Sequence, residues 1–459
     1  MDNKPNIIFV FPDQMRASAM GCSGVENVIT PNIDAFAQQG TRFTRAISNT
    51  PVCSPARASI LSGLHTLTHQ MVYNDVVMRT DIKSIAHSFN EVGYKCGYVG
   101  KWHLDCNDRG VFIPPGPRRQ GFDDFWAACN CNHDYFDGYY YLNDNPEPVW
   151  TDGYEPIEQT NIAIDYINTK AQEDNPFCMF LSWGPPHCPY TEVPPKYKDM
   201  YPPESIELKP NAIGYANREH ISGYYAHVTA LDECFGRLLD TIKEAGIEDN
   251  TIVVFTSDHG DMLYSQNRGW KCKPWLEAVN IPFIIRWPGH VPEGRVSDGL
   301  ISLVDVMPTL LSLVGVDIPE AVEGEDLAAL ILGDESASPE SVFINIPVSP
   351  NKYFSYSEWR GVVTKTHTYA RFRNRPWICY NDAEDPYQMR ELRLDPDTVA
   401  RMEGILQQWL KRTNDPFETT EEVCARYYKD AVEGIMPYYE NEIILNEKAR
   451  RAKLRAQKA

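Results

Sequence analysis

Several residues able to bind anions or metals follow short apolar runs in this chain. The runs lie at 7–11, 96–99, 178–182 and 252–255, and each is predicted to be a buried strand. The polar residues that follow them are, in order, Asp13 and Gln14, Lys101 and His103, His187, and Asp258 and His259. Because ligands of open parallel sheets bind beyond the carboxyl ends of the strands, we expect these side chains to meet at one edge.

Asp13 and Asp258 are carboxylates on separate predicted strands, which converge if those strands are neighbours. Two buried carboxylates repel each other unless a cation or a proton lies between them, so this pair predicts a metal site. Gln14 can add an amide oxygen. His259 is a softer ligand, which permits calcium or magnesium and leaves manganese or zinc open.

Fixed positive charges accompany this predicted metal site. Arg57, Lys101 and Lys271 are suited to holding a tetrahedral oxyanion. His103 and His187 titrate near neutral pH and are candidates for acid and base catalysis, although each could also be an ordinary loop histidine. Together these residues predict a hydrolase that acts on a sulfate or a phosphate ester.

Cys53 is the candidate nucleophile. It begins the segment Cys53-Ser54-Pro55-Ala56-Arg57, which runs into a helix-like stretch at 58–63. A cysteine at a helix start beside an arginine is expected to be an activated thiolate, whereas the alternative is a buried structural thiol.

The segment from Cys53 to Arg57 resembles the Cys-x-Pro-x-Arg signature of the type I sulfatases, which belong to the alkaline-phosphatase superfamily. The resemblance covers most of the chain. Its other segments are Thr30–Asp34, Gly100–His103, Pro186-His187, Ser257–Gly260, Lys271–Glu277, Val304–Leu310 and Asn381–Tyr387. It implies that Cys53 is oxidised to formylglycine by a formylglycine-generating maturation enzyme, and that the hydrated aldehyde attacks sulfur.

The resemblance also implies a role for each remaining site residue. Arg57 and Lys101 would stabilise the attacking alkoxide. Lys271 and His187 would neutralise or protonate the departing oxygen, and His103 would remove a proton from the second hydroxyl to expel sulfate. The residues that would hold one divalent metal, usually Ca²⁺ with Mg²⁺ or Mn²⁺ possible, are Asp13, Gln14, Asp258 and His259.

The metal motifs depart from the common family pattern. Many sulfatases carry Asp-Asp and Asp-Asn where this chain has Asp13-Gln14 and Asp258-His259. These variants also resemble choline-sulfatase and phosphonate-monoester-hydrolase relatives, so a phosphonate monoester or phosphodiester hydrolase with the same formylglycine is the alternative function. Lys273 lies two residues from Lys271 and is the other candidate for its role. The spacing to Trp275 and Pro282 favours Lys271.

The alcohol part of the substrate is indicated only by composition. An aromatic segment could stack on a sugar or steroid ring, or its rings could anchor their own loop. Its members are Trp126, His133, Tyr135, Phe136, Tyr139, Tyr140 and Tyr141. A rim rich in Asn and Asp suits hydroxyl groups, so a small sulfated sugar is expected, with an aryl or steroid sulfate as the alternative.

The surrounding elements predict an α/β fold. Apolar runs alternate with helical patterns through residues 1–335, which indicates a large, mainly parallel sheet sandwiched by helices. Residues 336–459 are expected to form a smaller C-terminal α+β domain with a short antiparallel sheet. The segments 106–155 and 187–217 are predicted to be long loops, and the basic end of the chain a solvated helix.

Composition excludes several classes of function. The 459 residues carry a net charge of −20, which disfavours nucleic acid and long, densely sulfated polymers. No apolar run is long enough to span a membrane, and no signal peptide is recognisable, so a cytoplasmic protein with reduced thiols is expected. The oligomeric state is not predicted.

Overall fold

The computed structural model describes residues 4–349, 357–428 and 440–458. Within these residues an 11-stranded mixed sheet and a separate four-stranded antiparallel sheet are formed. The strands are β1 (Asn6–Val10), β2 (Thr41–Ile47), β3 (Lys95–Lys101), β4 (Phe125–Cys129), β5 (Tyr139–Leu142), β6 (Val149–Trp150), β7 (Phe177–Ser182), β8 (Thr251–Thr256), β9 (Asn280–Ile281), β10 (Phe283–Arg286), β11 (Arg295–Ser302), β12 (Ser341–Ile346), β13 (Trp359–Thr364), β14 (His367–Phe372) and β15 (Arg375–Asn381). The predicted fold class is thus confirmed.

Helices cover both faces of the large sheet, and one packs against the small sheet. The helices of the described residues are α1 (Pro31–Gln38), α2 (Cys53–Ser62), α3 (Thr66–His69), α4 (Ile85–Glu91), α5 (Glu155–Lys170), α6 (Pro195–Lys198), α7 (Arg218–Glu244), α8 (Leu276–Val279), α9 (Val306–Leu313), α10 (Ala328–Ile331), α11 (Pro396–Arg412), α12 (Thr420–Tyr427) and α13 (Glu442–Lys458). Among the described residues, no helix combines the length and apolar character needed to cross a membrane.

Strand β1 is apolar from Ile7 to Val10 because both of its faces are buried. Ile7 and Phe9 pack into the core beneath α2, α4 and α9, whereas Ile8 and Val10 pack into the core beneath α1, α5 and α7. Successive side chains of a strand point to opposite faces, so a strand buried on both faces has no polar position. This burial produces the continuous apolar runs that the sequence shows.

Four neighbouring parallel strands position the site. Their order is β8-β1-β7-β3, with Val10 opposite Phe255 and Leu181, and Val99 opposite Leu181. All four carboxyl ends therefore lie at one edge of the sheet, as predicted. Gly100 (φ +100°) passes so close to β7 that an added Cβ would lie 2.0 Å from the Ser182 carbonyl oxygen.

The outer strands differ from the sequence-based expectation. The sheet is expected to be mainly parallel, but β10 is antiparallel to both β8 and β2. The segment 106–155, predicted as a loop, contributes β4, β5 and β6 to the sheet. Apolar character reveals that a strand is buried, but it does not reveal the direction in which the strand runs.

The small sheet follows the order β12-β13-β14-β15. Within it β13 and β14 form an antiparallel hairpin. The chain passes from the large sheet to the small sheet between β11 and β12. The predicted domain boundary at 335/336 lies within this connection. One core nevertheless joins the two parts, because Ile47 and Val52 pack with Val342 and Ile344. A division into 1–335 and 336–459 stays a prediction.

Helix α13 packs one side against the large-sheet part of the chain, whereas Arg450 and Lys453 in its basic end are exposed. Ile444 is buried with Cys129 and two tyrosines of β5. Lys448 forms an ion pair with Asp134, and Arg451 pairs with Asp137 at 3.1 Å. The basic residues of the helix thus contact acidic residues of the segment that follows β4.

Candidate active site

Cys53 begins helix α2 and is fully buried. Its Sγ lies 3.0 Å from Lys271 Nζ, 3.3 Å from His259 Nε2 and 3.6 Å from Asp13 Oδ1. Burial and Asp13 oppose ionisation of the thiol, but Lys101, Lys271 and His259 hold its pKa well below the usual range. The predicted nucleophile is therefore at the centre of the cluster, in a field that stabilises negative charge.

Asp13 and Asp258 follow the paired strands β1 and β8 and are both fully buried. His259 Nε2 lies 3.4 Å from Asp13 Oδ1 and 3.7 Å from Asp258 Oδ1. Burial opposes the charge of Asp13, but Lys101 and other nearby cations hold its pKa well below the usual range. The pKa of Asp258 is raised by burial and by the Asp13 charge. The two carboxylates thus repel each other within one cluster, as the sequence predicted.

Arg57 lies one turn after Cys53 on the same helix and joins three strand ends. Its Nε lies 3.0 Å from Asp258 Oδ2. Its Nη1 donates to the Lys101 carbonyl at 2.8 Å and to Ser182 Oγ at 2.7 Å. Lys101 Nζ in turn donates to Asp13 Oδ2. Both cations are therefore fixed beside Cys53 by buried partners.

The structure distinguishes the two neighbouring lysines. Lys271 Nζ reaches Cys53 Sγ, whereas Lys273 Nζ donates to the Lys271 carbonyl at 2.7 Å. Burial lowers the pKa of Lys273, whereas the nearby Cys53 and Asp13 overcome burial and raise the pKa of Lys271. Lys271 is therefore the lysine in position to contact a group bound at Cys53.

We expect Lys271→Met to lower kcat/KM about 10²–10³-fold, because one donor to the developing charge is lost. Lys273→Met is the matched control, and we expect it to change kcat/KM less than tenfold. Steady-state sulfate release by both purified variants checks the pair. Equal losses in the two variants would contradict the assignment.

His103 follows β3 in the left-handed region (φ 55°), as Gln14 does after β1 (φ 70°). Residues in this sparsely populated region cluster at functional sites. His103 Nε2 lies 3.2 Å from Asp75 Oδ1, which Arg109 also contacts. Burial lowers the pKa of His103, but Cys131 and Asp75 raise it to about 10. His103 is consequently protonated at neutral pH in the unmodified protein.

His187 lies beyond β7 and stacks on His133. The ring centroids are 4.1 Å apart and the planes differ by 9°. His187 Nδ1 lies 2.7 Å from the carbonyl oxygen of Cys188, so it is the nitrogen that carries the proton. Burial and Lys271 hold the pKa of His187 well below its usual range. The imidazole is therefore neutral at pH 7.

Gln14 lies beside the carboxylates, and its backbone N–H donates to Asp258 Oδ1 at 3.0 Å. Its Nε2 donates to Asp261 Oδ2 at 2.7 Å, and its buried Oε1 has no hydrogen-bond partner among the described residues. Ligand atoms of Asp13, Cys53, Asp258 and His259 all lie within 4.8 Å of one another. A buried amide oxygen without a donor, two carboxylates and an imidazole are a donor set that fits a divalent cation.

The aromatic segment is mostly interior. Tyr135, Tyr139 and Tyr141 are buried, and their hydroxyl groups donate to backbone carbonyls. Trp126 packs in the core, so of the two interpretations the self-anchored loop fits these rings. Two members lie beside His187: His133 stacks on its ring, and the Tyr135 hydroxyl donates to its carbonyl at 2.6 Å.

Some residues around the cluster were missed by the sequence analysis. Asp75 orients His103, Asp261 holds Gln14, and Ser182 accepts from Arg57. Asp261 and Ser182 could have been suspected, because each lies within three residues of a strand end or of Asp258. Asp75 comes from an irregular segment and carries no signal of this kind.

The mixed sheet, with a buried anion-stabilising cluster at the carboxyl ends of its strands, has the alkaline-phosphatase-like fold of the type I sulfatases. A sequence model described as "Sulfatase" matches residues 5–316. Another, described as "N-sulphoglucosamine sulphohydrolase, C-terminal", matches residues 267–415. The chain belongs to the sulfatase family and is a sulfuric ester hydrolase.

Individual relatives agree with this assignment over almost the whole chain. An ulvan-active sulfatase of Formosa agariphila is 38% identical over 92% of this chain and 84% of its own length. An endo-4-O-sulfatase of Bacteroides thetaiotaomicron is 32% identical over 90% of this chain and 93% of its own. The solved structure of a candidate sulfatase, YidJ of Bacteroides fragilis, is 30% identical, superposes with a TM-score of 0.83, and covers 93% of this chain and 98% of its own.

Proposed function

We propose that this sulfatase hydrolyses the sulfate monoester of a sugar, with formylglycine at position 53 and one divalent metal. The observation that carries the proposal is the environment of Cys53 Sγ. A lysine, a histidine and a carboxylate all lie within 3.6 Å of this one buried atom. Such a convergence suits a nucleophile that must be held against an anionic ester.

Formylglycine supplies a hydrated aldehyde, in which one hydroxyl can attack sulfur and the other can break the covalent bond that forms. The residues around Cys53 suit this chemistry. Lys101 and Arg57 supply positive charge on the side of Asp13 and Asp258. Lys271 supplies it from a different segment. We propose that Lys271 donates a hydrogen bond to the departing oxygen and gives it a proton as the S–O bond breaks. Neutral His187 would then accept a hydrogen bond through Nε2 from the alcohol so formed.

The residues proposed to hold the metal are Asp13, Gln14, Asp258 and His259. A divalent cation, most simply Ca²⁺, would supply positive charge for a sulfate oxygen and for the nucleophile. Oxygen donors outnumber nitrogen donors in this set, which favours a hard cation.

His103 is proposed to carry a proton rather than to begin as a free base. Asp75 fixes its orientation, and the raised pKa keeps it protonated at neutral pH. It can therefore donate a hydrogen bond to the second hydroxyl at first. It can accept the proton of that hydroxyl only after releasing its own to solvent.

A sugar is proposed as the alcohol because of the relatives. An ulvan-active sulfatase and an N-acetylglucosamine-6-O-sulfatase are similar to this chain over 92% and 93% of its length, at 38% and 25% identity. A further solved structure, 29% identical with a TM-score of 0.82, comes from work on glycosaminoglycan metabolism in Bacteroides thetaiotaomicron. The proposed maturation partner is a formylglycine-generating enzyme that acts on Cys53.

The function is tested with protein made together with a maturation enzyme. Sulfate release is measured on defined sulfated mono- and disaccharides, steroid sulfates and an aryl sulfate, beside a phosphate diester of the same aryl alcohol. We expect a sulfated saccharide to give the highest kcat/KM. Faster turnover of the diester would instead establish the phosphodiesterase alternative, and a steroid sulfate as best substrate would overturn the sugar assignment.

A further inference from the structure

His133 and His187 meet face to face, and both residues are half-buried. Their ring planes differ by 9° and their centroids are 4.1 Å apart. His187 belongs to the segment after β7, and His133 to the segment between β4 and β5, so the stack joins two strand ends that β3 separates in the sheet. Because His187 is proposed to act on the departing alcohol, whatever fixes its ring affects that step.

The backbone around His187 is fixed beside the site. Pro186, the preceding residue, forms a parallel β-bridge with Asp13. The carbonyl oxygen of His187 accepts a hydrogen bond from the Tyr135 hydroxyl at 2.6 Å. These contacts hold the main chain, but the second side-chain torsion of a histidine has a broad preference. The orientation of the imidazole therefore depends on the contacts of the ring itself.

The imidazole ring of His187 has one contact at its edge and another on its face. At the edge, Nδ1 donates to the carbonyl oxygen of Cys188, the next residue, at 2.7 Å. On the face lies the ring of His133. A single hydrogen bond lets a ring tilt about the line of that bond, whereas a parallel ring in van der Waals contact opposes the tilt. The stack thus fixes the plane in which Nε2 lies.

The nitrogen atoms of His133 do not explain why a histidine is at this position. Nε2 lies 3.4 Å from Cys131 Sγ, a weak hydrogen-bond partner. The buried Nδ1 has no hydrogen-bond partner in the part of the chain that the structure describes. A buried polar atom without a partner opposes folding. The face of the ring is the part of His133 that contacts a proposed site residue.

The segment that carries His133 is anchored on both sides of it. Before it, Asn132 Oδ1 accepts a hydrogen bond from Lys448 Nζ of α13 at 3.0 Å. After it, the backbone N–H of Tyr135 donates to Glu192 Oε2 at 2.9 Å. Both anchors come from outside the segment. The ring of His133 is therefore mounted on a fixed piece of backbone and can act as a rigid wall.

We propose that His133 is a positioning residue, which holds the ring of His187 in the orientation that lets Nε2 meet the departing alcohol. The proposal rests on the role proposed for His187. It adds that His133 acts through its ring face and that turnover requires none of its hydrogen bonds. Loss of the ring should lower kcat with little change in KM, because the ester stays bound while His187 tilts away from it.

Two replacements separate the ring face of His133 from its nitrogens. His133→Phe keeps a flat ring without nitrogens, whereas His133→Gln keeps a hydrogen-bonding group without a ring. Both matured proteins are assayed on whichever ester named above gives the highest kcat/KM. We expect His133→Gln to lower kcat about tenfold or more, as for a misplaced catalytic group, and His133→Phe to stay within about threefold of wild type. His133→Leu is a second ringless variant, and thermal unfolding of each protein reveals any folding defect.

The His187→Ala background shows whether His133 acts through His187. There we expect His133→Gln to change kcat less than about twofold, because the ring that His133 orients is already absent. Additive losses in the double variant would overturn the proposal. Equal kcat values of the His133→Phe and His133→Gln proteins would also overturn it, as would a wild-type kcat in His187→Ala.

His290→Gln is the matched control. His290 also stacks on a ring, that of Trp287, with centroids 3.8 Å apart. It follows β10, whose last residue, Arg286, lies opposite Val253 near the amino end of β8, so it is at the other edge of the sheet from the site. Its replacement should leave kcat unchanged. Failure of the proposed function is seen separately, as absence of sulfate release by the matured wild-type enzyme.

Discussion

Cys53→Ala is expected to lower kcat/KM for sulfate release by about 10⁴-fold or more, because it removes the atom from which the nucleophile is made. The remaining cluster of Lys101, Arg57 and the carboxylates can still bind the ester. Alanine is the residue most favourable to helices, and Cys53 begins α2. We therefore expect thermal unfolding to shift by only a few degrees.

Cys96→Ala is the control for this result. Cys96 is also fully buried, but it lies near the start of β3, at the opposite end of the strand from Lys101. Its replacement should leave kcat/KM within a factor of about three while costing stability through a small cavity. Retention of a tenth of wild-type activity by Cys53→Ala would show that position 53 is not the nucleophile.

Cys53→Ser tests whether one hydroxyl at position 53 is enough for turnover, or whether the hydrated aldehyde is required. Serine keeps a single hydroxyl at the same place, but it lacks the second hydroxyl that releases the covalent intermediate. We expect it to be nearly as inactive as alanine where the maturation enzyme oxidises cysteine only. Mass spectrometry of the peptide that contains position 53 gives the independent check, since the active wild-type protein should carry the aldehyde there.

The central part of the site could be predicted because it depends on parallel neighbours. Asp13 and Asp258 each follow a doubly buried strand, and β1 and β8 pair in parallel with Val10 opposite Phe255. Strand ends then bring the two carboxylates together without any further information. Cys53 and Arg57 were predictable for a local reason, because four residues along a helix place both side chains on one face.

Other parts depend on contacts that leave no pattern in the sequence. Asp75 orients His103 across 28 residues of mainly irregular chain. Tyr139 and Tyr141 are buried, because β5 pairs with β4 at the side of the sheet, and nothing in their sequence indicates that pairing. Helix α13 docks through Ile444 and two ion pairs, and its composition alone resembles a solvated helix. In each case tertiary packing decides what local periodicity leaves open.

Asp13→Asn is expected to have the second largest effect, lowering kcat/KM about 10²–10³-fold and leaving the purified protein with less than one bound metal per chain. The amide keeps the shape of the side chain but loses its charge. In the structure this carboxylate contacts Lys101, Arg57 and His259. Excess Ca²⁺ should restore part of the activity, because the remaining proposed ligands are intact.

Metal content of dialysed protein by atomic emission, and activity as a function of added Ca²⁺, check this expectation. Asp261→Asn is the control, because Asp261 accepts from Gln14 Nε2 and is not itself a proposed ligand. Asp261→Asn should weaken metal binding less than Asp13→Asn does. We expect a loss of about 10–100-fold in metal affinity, which is typical of residues that orient a ligand. Unchanged metal content in Asp13→Asn would remove this residue from the proposed metal site.

Asp13 has two roles in this scheme, and a double variant separates them. As the counter-ion of buried Lys101, it keeps that charge paired. Removing one partner of a buried ion pair costs about 3–5 kcal/mol of stability, so Asp13→Asn should have a lower melting temperature. Adding Lys101→Met removes that charge, so the double variant should recover stability. It should not recover metal, because the lost ligand is still absent. Recovery of both would mean that Asp13 acts only through Lys101.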